Sequence, residues 1–486
     1  MHCSRQETDY LPSRVLEVSF DNTPDSIKLV EGTALHGSYV ALSYCWGQDQ
    51  RTVLTRRRLR DFMKGLPVDS LPQTILDAIE ITRKLNIKYL WVDALCIIQD
   101  SQEDKKNEIA RMAKIYNNSY VTISAASAAS VSDGFLHQRQ PWHMQQLIRI
   151  PLRFHQNDEL AILSLYDGSQ MWRVGSKNSP IEKRGWTLQE KLLSRRVLFY
   201  GTTHLQWTCR SIPLESGDLE VLQGSFLAST LRPISVSGEL SRCWNTKRSL
   251  YEGWERTILE LTRRSFTHSE DMLRAVAGIA TKYQEELQDQ YVAGLWKGAL
   301  ERELLWRGDF EHDPSNLQLR PYRYIAPSWS WASRMGSVVF DSYETDDHTS
   351  NITITGCCIV LEDHKILVGD IVHGHITIQG PIKLARLVSV TLFDLQPEMN
   401  ESEAMVYIDS KEDLHEKGRQ SRIVASDFDV VSCLRLTRVM GLVLRQTRGN
   451  EHTEKLELKT YRRIGCFQVY REEWLSDCQR AHIVIV

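Results

Sequence analysis

Between residues 71 and 125 the spacing of apolar positions alternates between a helical and a strand period. Leu71–Leu85 and Glu103–Tyr116 carry apolar side chains three to four residues apart, which predicts two amphipathic helices. Tyr89–Val92 and Tyr120–Ala125 are short apolar or β-prone runs, which predicts two buried strands. The order helix, strand, helix, strand indicates an α/β fold.

A third strand is predicted ahead of these two, at Tyr39–Gly47. Strands joined through helices pair in parallel with right-handed crossovers, so their carboxyl ends lie at one edge of the sheet. In open α/β sheets this edge is where ligands bind. Asp93 directly follows Tyr89–Val92, and a carboxylate so close to a buried strand is costly unless a partner stabilises it. We therefore predict that Asp93 lies in a functional site.

The pattern changes after this α/β segment. Residues 127–180 lack a helical period, so they predict an insertion with two short strands, and Arg184–Glu190 predicts the start of another helix. Helical spacing then prevails to Trp306, and Leu295–Trp296 and Leu304–Trp306 are included in it. Pro327–Ala332 alternates like a strand.

Short alternating runs separated by turns begin at Ile352 and predict a separate antiparallel β domain, a sandwich or barrel. The domains predicted from these patterns are an α/β domain over 1–215 with the insertion at about 127–180, a helical region over 216–335 and a β-rich accessory domain over 336–486.

Composition restricts the function classes. The 486 residues are 42% apolar and 25% charged with a net charge of −3, so no bulk charge recruits nucleic acid or anionic lipid. We expect a cytoplasmic protein without a membrane span, because the chain shows neither a signal-peptide core nor an apolar run of bilayer length. The ten cysteines form no CxxC pair, which favours reduced thiols and argues against a zinc site.

Several common catalytic motifs are missing from the sequence. It has no GxxxxGK[ST] phosphate loop, no GxGxxG after the first strand, no GxSxG elbow and no HExxH. These absences argue against a nucleotide kinase or ATPase, a typical dinucleotide-dependent dehydrogenase, an α/β-hydrolase and a zincin metalloprotease.

The predicted sheet edge gathers a set of residues that suits a sugar–base ligand. One carboxylate, Asp93, can hold ribose hydroxyls, an aromatic ring can stack on a base, and a second carboxylate, Glu190, can stabilise oxocarbenium character as a glycosidic bond breaks. Glu190 must fold back onto the edge for this. The predicted binding residues around the two carboxylates are Ser43, Tyr44, Trp46, Cys96 and Ser124.

The same residues could instead have purely structural roles. Asp93 could cap the turn that follows it, and Glu190 could pair with Arg184 or Arg195. Cys96 suggests a different alternative, a thiol nucleophile, although free cysteines in apolar surroundings are more often inert.

Four ordered blocks resemble a known family. YVALSYCWG, LPQTILDAIEITRKLNIKYLWVDALCIIQD, EIARMAKIYNNSYVTISA and RGWTLQEKLLSRRVLFY are similar, in order and spacing, to the signature of the fungal heterokaryon-incompatibility (HET) domain. The blocks cover Tyr39 to about Tyr200. Four later pieces, AGLW, LLW, APSWSWAS and YRRIG, resemble the downstream region of many such proteins.

The resemblance implies a function in nonself recognition, a form of innate immunity, in which programmed cell death follows the fusion of genetically different fungal cells. HET domains look like distant relatives of TIR domains, which share a flavodoxin-like sheet and some of which cleave NAD with a glutamate. The resemblance therefore implies a flavodoxin-like, TIR-like core and NAD as a possible substrate rather than a bound cofactor. The sequence does not align with the TIR motifs, so Glu190 as the catalytic glutamate is our own inference from its predicted place at the sheet edge. The alternatives are a non-catalytic oligomerising adaptor and, more weakly, a cysteine-dependent hydrolase. We expect a protein partner or self-association as the trigger.

Overall fold

The structure is a computed structural model, in which the chain forms two compact units, Met1–Cys243 and Trp244–Val486. The division into three domains stays a prediction. Of the predicted insertion, residues 139–147, 154–159 and 166–178 lie outside the described residues. The structure describes residues 10–18, 27–48, 50–138, 148–153, 160–165, 179–202, 205–210, 247–309, 320–340, 351–362, 368–387, 404–410, 429–447 and 457–486.

A seven-stranded mixed sheet forms the centre of the first unit. Its strands are β1 (Arg14–Val18), β2 (Ile27–Glu31), β3 (Tyr39–Ser43), β4 (Tyr89–Trp91), β5 (Val121–Ser124), β8 (Arg196–Tyr200) and β9 (Leu205–Cys209), while β6 (Ile148–Arg153) and β7 (Leu160–Leu165) pair separately. The sheet order is β2-β1-β4-β3-β5-β8-β9. The neighbours β4 and β3 and the neighbours β3 and β5 are parallel, which confirms the three predicted parallel strands. Strand β8 adds a fourth parallel strand beside β5, which the sequence did not predict.

Helices make the crossovers between these parallel strands. The helices of this unit are α1 (Leu59–Lys64), α2 (Gln73–Lys84), α3 (Asp93–Cys96), α4 (Gln102–Asn118) and α5 (Trp186–Leu193), with 3-10 turns at Val68–Ser70 and Pro180–Lys183. The α2 helix buries Ile75 and Ile79 one turn apart against the sheet. The α4 helix begins after Ser101, whose hydroxyl accepts from the Asp104 amide at 3.4 Å. The helices predicted at 71–85 and 103–116 are confirmed.

The second unit combines helices with a barrel-like sheet. Its helices are α6 (Lys247–Thr262), α7 (Asp271–Arg274), α8 (Ala277–Leu287) and α9 (Leu300–Glu303), with 3-10 turns at Lys297–Ala299, Trp331–Ser333 and Glu472–Leu475. Short pairs are β10 (Tyr291–Val292) with β11 (Leu295–Trp296) and β12 (Trp306–Gly308) with β13 (Val338–Phe340). The large sheet comprises β14 (Thr353–Leu361), β15 (Ile371–Leu387), β16 (Ala404–Ile408), β17 (Asp429–Arg435), β18 (Met440–Thr447), β19 (Lys459–Val469) and β20 (Gln479–Ile485).

Strand β20 closes this large sheet, because it pairs with both β15 and β19. The ladders are antiparallel, as predicted, except for the parallel pair of β19 and β20. Closure into a ring removes most of the open edge of a β-sheet.

Three local predictions in this unit are wrong, and two of them concern strands. Leu295–Trp296 forms a strand rather than part of a helix, and Pro327–Ala332 is not a strand. Hydrogen bonds between segments override the local pattern: the carbonyl of Gly294 accepts from the indoles of Trp254 at 2.9 Å and Trp331 at 2.8 Å. Gly294 has φ 97°, and a Cβ there would lie 2.6 Å from Trp331 Nε1. A helix cannot continue through this residue.

The predicted helical stretch 304–306 also differs, since Trp306 begins strand β12. Its indole donates to the Trp329 carbonyl at 2.8 Å, and the hydroxyl of Ser330 donates to the Ala293 carbonyl at 2.6 Å. The downstream pieces AGLW, LLW and APSWSWAS therefore pack into one tryptophan-rich core.

Among the described residues, no helix is long and apolar enough to cross a membrane.

Candidate functional site

Asp93 follows β4 after a single residue, Val92, and is the first residue of α3. Its Oδ2 accepts from Trp46 Nε1 at 2.9 Å, and its Oδ1 accepts from the Ala94 amide at 2.7 Å. The Tyr44 hydroxyl donates to the same carboxyl group and lies 3.3 Å from Gln50 Oε1. Because Tyr44 and Trp46 directly follow β3, the carboxyl ends of β3 and β4 meet around this carboxylate.

Glu190 reaches the same edge from α5. Its side chain is buried and bonds the hydroxyls of Ser43 and Tyr116. Ser43 is the last residue of β3, and the Tyr116 hydroxyl, from α4, also lies 3.2 Å from the Leu42 carbonyl. The α5 helix packs against α4, β3 and β5, which holds Glu190 beside the end of β3.

One arginine acts on both carboxyl groups. Arg184 Nη1 donates to the Tyr44 carbonyl. Its positive charge lowers the pKa of Asp93 and of Glu190, although burial outweighs it in both. The charge of Asp93 in turn raises the pKa of Glu190. The two carboxyl groups, the guanidinium and the Tyr44 hydroxyl therefore form one electrostatically coupled cluster.

Burial controls the protonation of this cluster. It raises the pKa of Glu190 from 4.5 to about 7, and it raises the pKa of Asp93 above its ordinary value. Burial also raises the pKa values of Tyr44 and Tyr116 well above 10, so both phenols stay protonated as donors. A carboxyl group with a pKa near neutrality can exchange a proton at physiological pH, as general acid–base catalysis requires.

The other sequence-predicted residues fall into two positions. Ser124 ends β5, in register with Ser43, and is buried. Cys96 has no exposed surface, and burial raises the pKa of its thiol to about 12. Cys96 therefore lies in the interior behind the edge, where a neutral thiol is a poor nucleophile.

Arg184, a member of the cluster, and Tyr116, which bonds Glu190, are not predicted as site residues by the sequence. The pattern indicates Arg184 only as a partner that would neutralise Glu190, and Tyr116 only as an apolar residue of its helix. A signal for Arg184 is its position within RGWTLQE, where it precedes Glu190 by less than two helical turns.

Comparison with known proteins gives a match over this region. Residues 39–190 match the family model described as heterokaryon incompatibility protein (HET), and this range includes Asp93 and Glu190. A relative, heterokaryon incompatibility protein 6, OR allele, from Neurospora crassa, is 31% identical over 93 residues. That alignment covers 18% of this chain and 14% of the relative. No solved structure matches the chain.

Proposed function

We propose that this chain, whose residues 39–190 match the HET family model, acts in fungal heterokaryon incompatibility, as an intracellular effector of nonself recognition that triggers programmed cell death. The name of the Neurospora relative supports this role. For the biochemical activity we propose cleavage of the nicotinamide–ribose bond of NAD by the Asp93–Glu190 cluster, within a flavodoxin-like, TIR-like core.

The order of the parallel strands supports the flavodoxin-like assignment. Numbered along the chain as strands one to four, β3, β4, β5 and β8 lie in the order two, one, three, four. The flavodoxin-like sheet has this order, and its ligands bind at the carboxyl ends of the adjacent strands one and three, where the strand order reverses. Here that point lies between Ser43 and Ser124, the ends of β3 and β5. Glu190 bonds Ser43 at this switch point.

The proposed reaction assigns a different role to each carboxylate. As the bond between ribose C1′ and the nicotinamide nitrogen breaks, its electron pair neutralises the pyridinium charge, so the leaving group needs no acid. Positive charge develops on the ribose, and ionised Glu190 stabilises it. Asp93, held by Trp46 and Ala94, orients the ribose hydroxyls. Water then adds to C1′, and Glu190 accepts the proton that it releases.

The observation that carries this proposal is that two distant carboxylates meet at one place. Asp93 and Glu190 come from segments almost 100 residues apart, and both interact with one arginine at the switch point of the sheet. Charged groups cost free energy when buried together, and such arrangements cluster at functional sites. Burial and the charge of Asp93 raise the pKa of Glu190, and the positive charge of Arg184 opposes them.

The proposal is tested by inducible expression of the full chain in fungal cells, with NAD content and viability followed together. The test variant is Glu190→Gln, and the control is Glu103→Gln, an exposed carboxylate in the first turn of α4. We expect the wild type and Glu103→Gln to deplete NAD before the cells die, and Glu190→Gln to do neither. Death without NAD loss, unchanged in Glu190→Gln, would contradict the enzyme and favour the adaptor.

A further inference from the structure

The second unit contains a basic cleft, separate from the carboxyl cluster of the first unit. Its volume is about 410 Å³, within the range of small-molecule sites. The described residues that line it include three arginines and one histidine but no Asp or Glu. The lining residues that carry the inference are Arg320, Arg323, Tyr324, His373, Gly374 and Arg462.

The arginines of this basic cleft have different local roles. Arg320 is anchored, because its Nη2 donates to the Arg463 carbonyl at 3.1 Å. Arg462 and Arg463 are consecutive on β19, so their side chains leave opposite faces of the strand. Arg463 is fully buried, whereas Arg462 lines the cleft. Arg323 is exposed and forms no ion pair with a carboxylate of the described residues.

An aromatic surface accompanies the positive charge. The Tyr324 ring is 54% exposed at the cleft, and its hydroxyl accepts a hydrogen bond from the Gly374 amide. Tyr322, on the same loop, is fully exposed. An aromatic ring held at one end offers a flat face on which a base can stack.

A main-chain oxygen in the lining of the cleft already has its hydrogen-bond donors. The main-chain oxygen of Val486 lines the cleft, but it accepts from the Ser328 amide at 3.1 Å and from the Ser328 hydroxyl. Guanidinium groups bind phosphate through paired, charge-assisted hydrogen bonds. We propose that the basic cleft binds a phosphate-bearing ligand of mononucleotide size, with the phosphate at Arg323 and Arg462 and the ring on Tyr324.

Isothermal titration calorimetry on the full chain tests this site, with AMP, adenosine and inorganic phosphate as probes. We expect AMP to bind, and adenosine and inorganic phosphate to bind at least ~10-fold more weakly, because each keeps only one half of the recognition. Arg323→Gln and Arg462→Gln should each weaken AMP binding by ~10-fold or more. The charge-matched control Arg471→Gln, an exposed arginine of the same unit outside the cleft lining, should leave it unchanged.

The outcomes that would overturn the proposal are distinct. The site is refuted if AMP does not bind. It is also refuted if AMP binds Arg323→Gln and Arg462→Gln as tightly as it binds the wild type. If inorganic phosphate binds as tightly as AMP, the proposal that the ligand has the size of a mononucleotide is wrong. If thermal unfolding shows that Arg462→Gln does not fold, Arg323→Gln decides, because its side chain is exposed on a loop.

Discussion

The two units bury charge in opposite ways. In the second unit, Arg463 Nε bonds Asp409 Oδ2 at 3.0 Å, Nη1 donates to the Leu304 carbonyl at 2.6 Å, and the guanidinium stacks on Trp306. Arg463 and Asp409 are both buried, and the buried Arg334 guanidinium also interacts with the Asp409 carboxylate, so two guanidinium groups share one carboxylate there. In the first unit, Asp93 and Glu190 share the guanidinium of Arg184 and depend on hydroxyl and indole donors for the rest.

This difference separates a structural ion pair from a candidate site. The Arg463 guanidinium is bonded by Asp409 and by the main-chain carbonyls of Leu304 and Trp306, so it needs no ligand, and removal of its carboxylate partner destabilises the unit. A buried cluster with an excess of carboxylates is held at a cost to folding, and it is ready to meet positive charge that develops in a ligand. Variants of the two regions should therefore fail in different assays.

The largest effect on stability is expected from Asp409→Asn. It leaves the Arg463 guanidinium buried without its counter-charge, which should lower the free energy of unfolding of the second unit by ~3–5 kcal/mol. Urea denaturation followed by tryptophan fluorescence measures this loss. The control is Asp477→Asn, which removes an exposed partner of Lys383 and should leave the unfolding midpoint nearly unchanged. Equal midpoints for the two variants would refute the structural role of the Arg463–Asp409 pair.

Asp93→Asn should show the converse behaviour. The amide keeps the shape of the side chain but loses the charge that orients the ribose hydroxyls, so kcat/KM for NAD should fall roughly 100-fold. The thermal midpoint should fall only slightly, because Asp93 is partly exposed and the amide keeps one of the two side-chain acceptors that Trp46 and Ala94 use. Retention of activity within a factor of about two would instead favour a capping role for Asp93.

Glu190→Gln should change how stability depends on pH. Burial raises the pKa of Glu190 from 4.5 to about 7, so the folded protein binds this proton more tightly than the unfolded chain. The resulting stabilisation is fully present below pH 4.5 and is lost as pH rises through about 7. Relative to the wild type, Glu190→Gln should therefore gain up to about 3 kcal/mol between these limits. Denaturation at several pH values measures the gap, and a gap independent of pH would show that the carboxyl group is not perturbed.

Cys96→Ala is expected to have the smallest effect. Cys96 is fully buried and supplies little more than apolar volume, so its loss should cost about 1–2 kcal/mol of stability. NAD cleavage by the folded variant should stay at the wild-type rate. Complete loss of activity in a variant with a normal thermal transition would revive the cysteine-dependent hydrolase.

The parallel centre of the first unit was predictable for a local reason. Each of its predicted strands is a short apolar or β-prone run, and helices with a clear apolar face join them. Asp93 was accessible to the same reasoning, because it directly follows an apolar run. Glu190 became a candidate only through chain folding that places RGWTLQE back on the edge and through the resemblance to the HET signature.

What could not be predicted depends on contacts between distant segments. The strand at Leu295–Trp296 forms because indoles from two other segments bond Gly294. The spacing of apolar residues along the sequence gives no sign of these bonds. Arg184 and Tyr116 joined the site for the same reason, since their partners lie on other elements. The pKa of Glu190 depends on burial that only the packed α5 helix creates.

The most direct measurement of the central claim is the release of nicotinamide from NAD by the purified full chain. The wild type and the exposed control Glu103→Gln should release nicotinamide at the same rate, whereas Glu190→Gln should be slower by a factor on the order of 10³, because it loses the charge that stabilises the transition state. Circular dichroism and the thermal midpoint confirm that all three proteins are folded. Equal rates in the wild type and Glu190→Gln, or no nicotinamide from any of the three, would contradict the account.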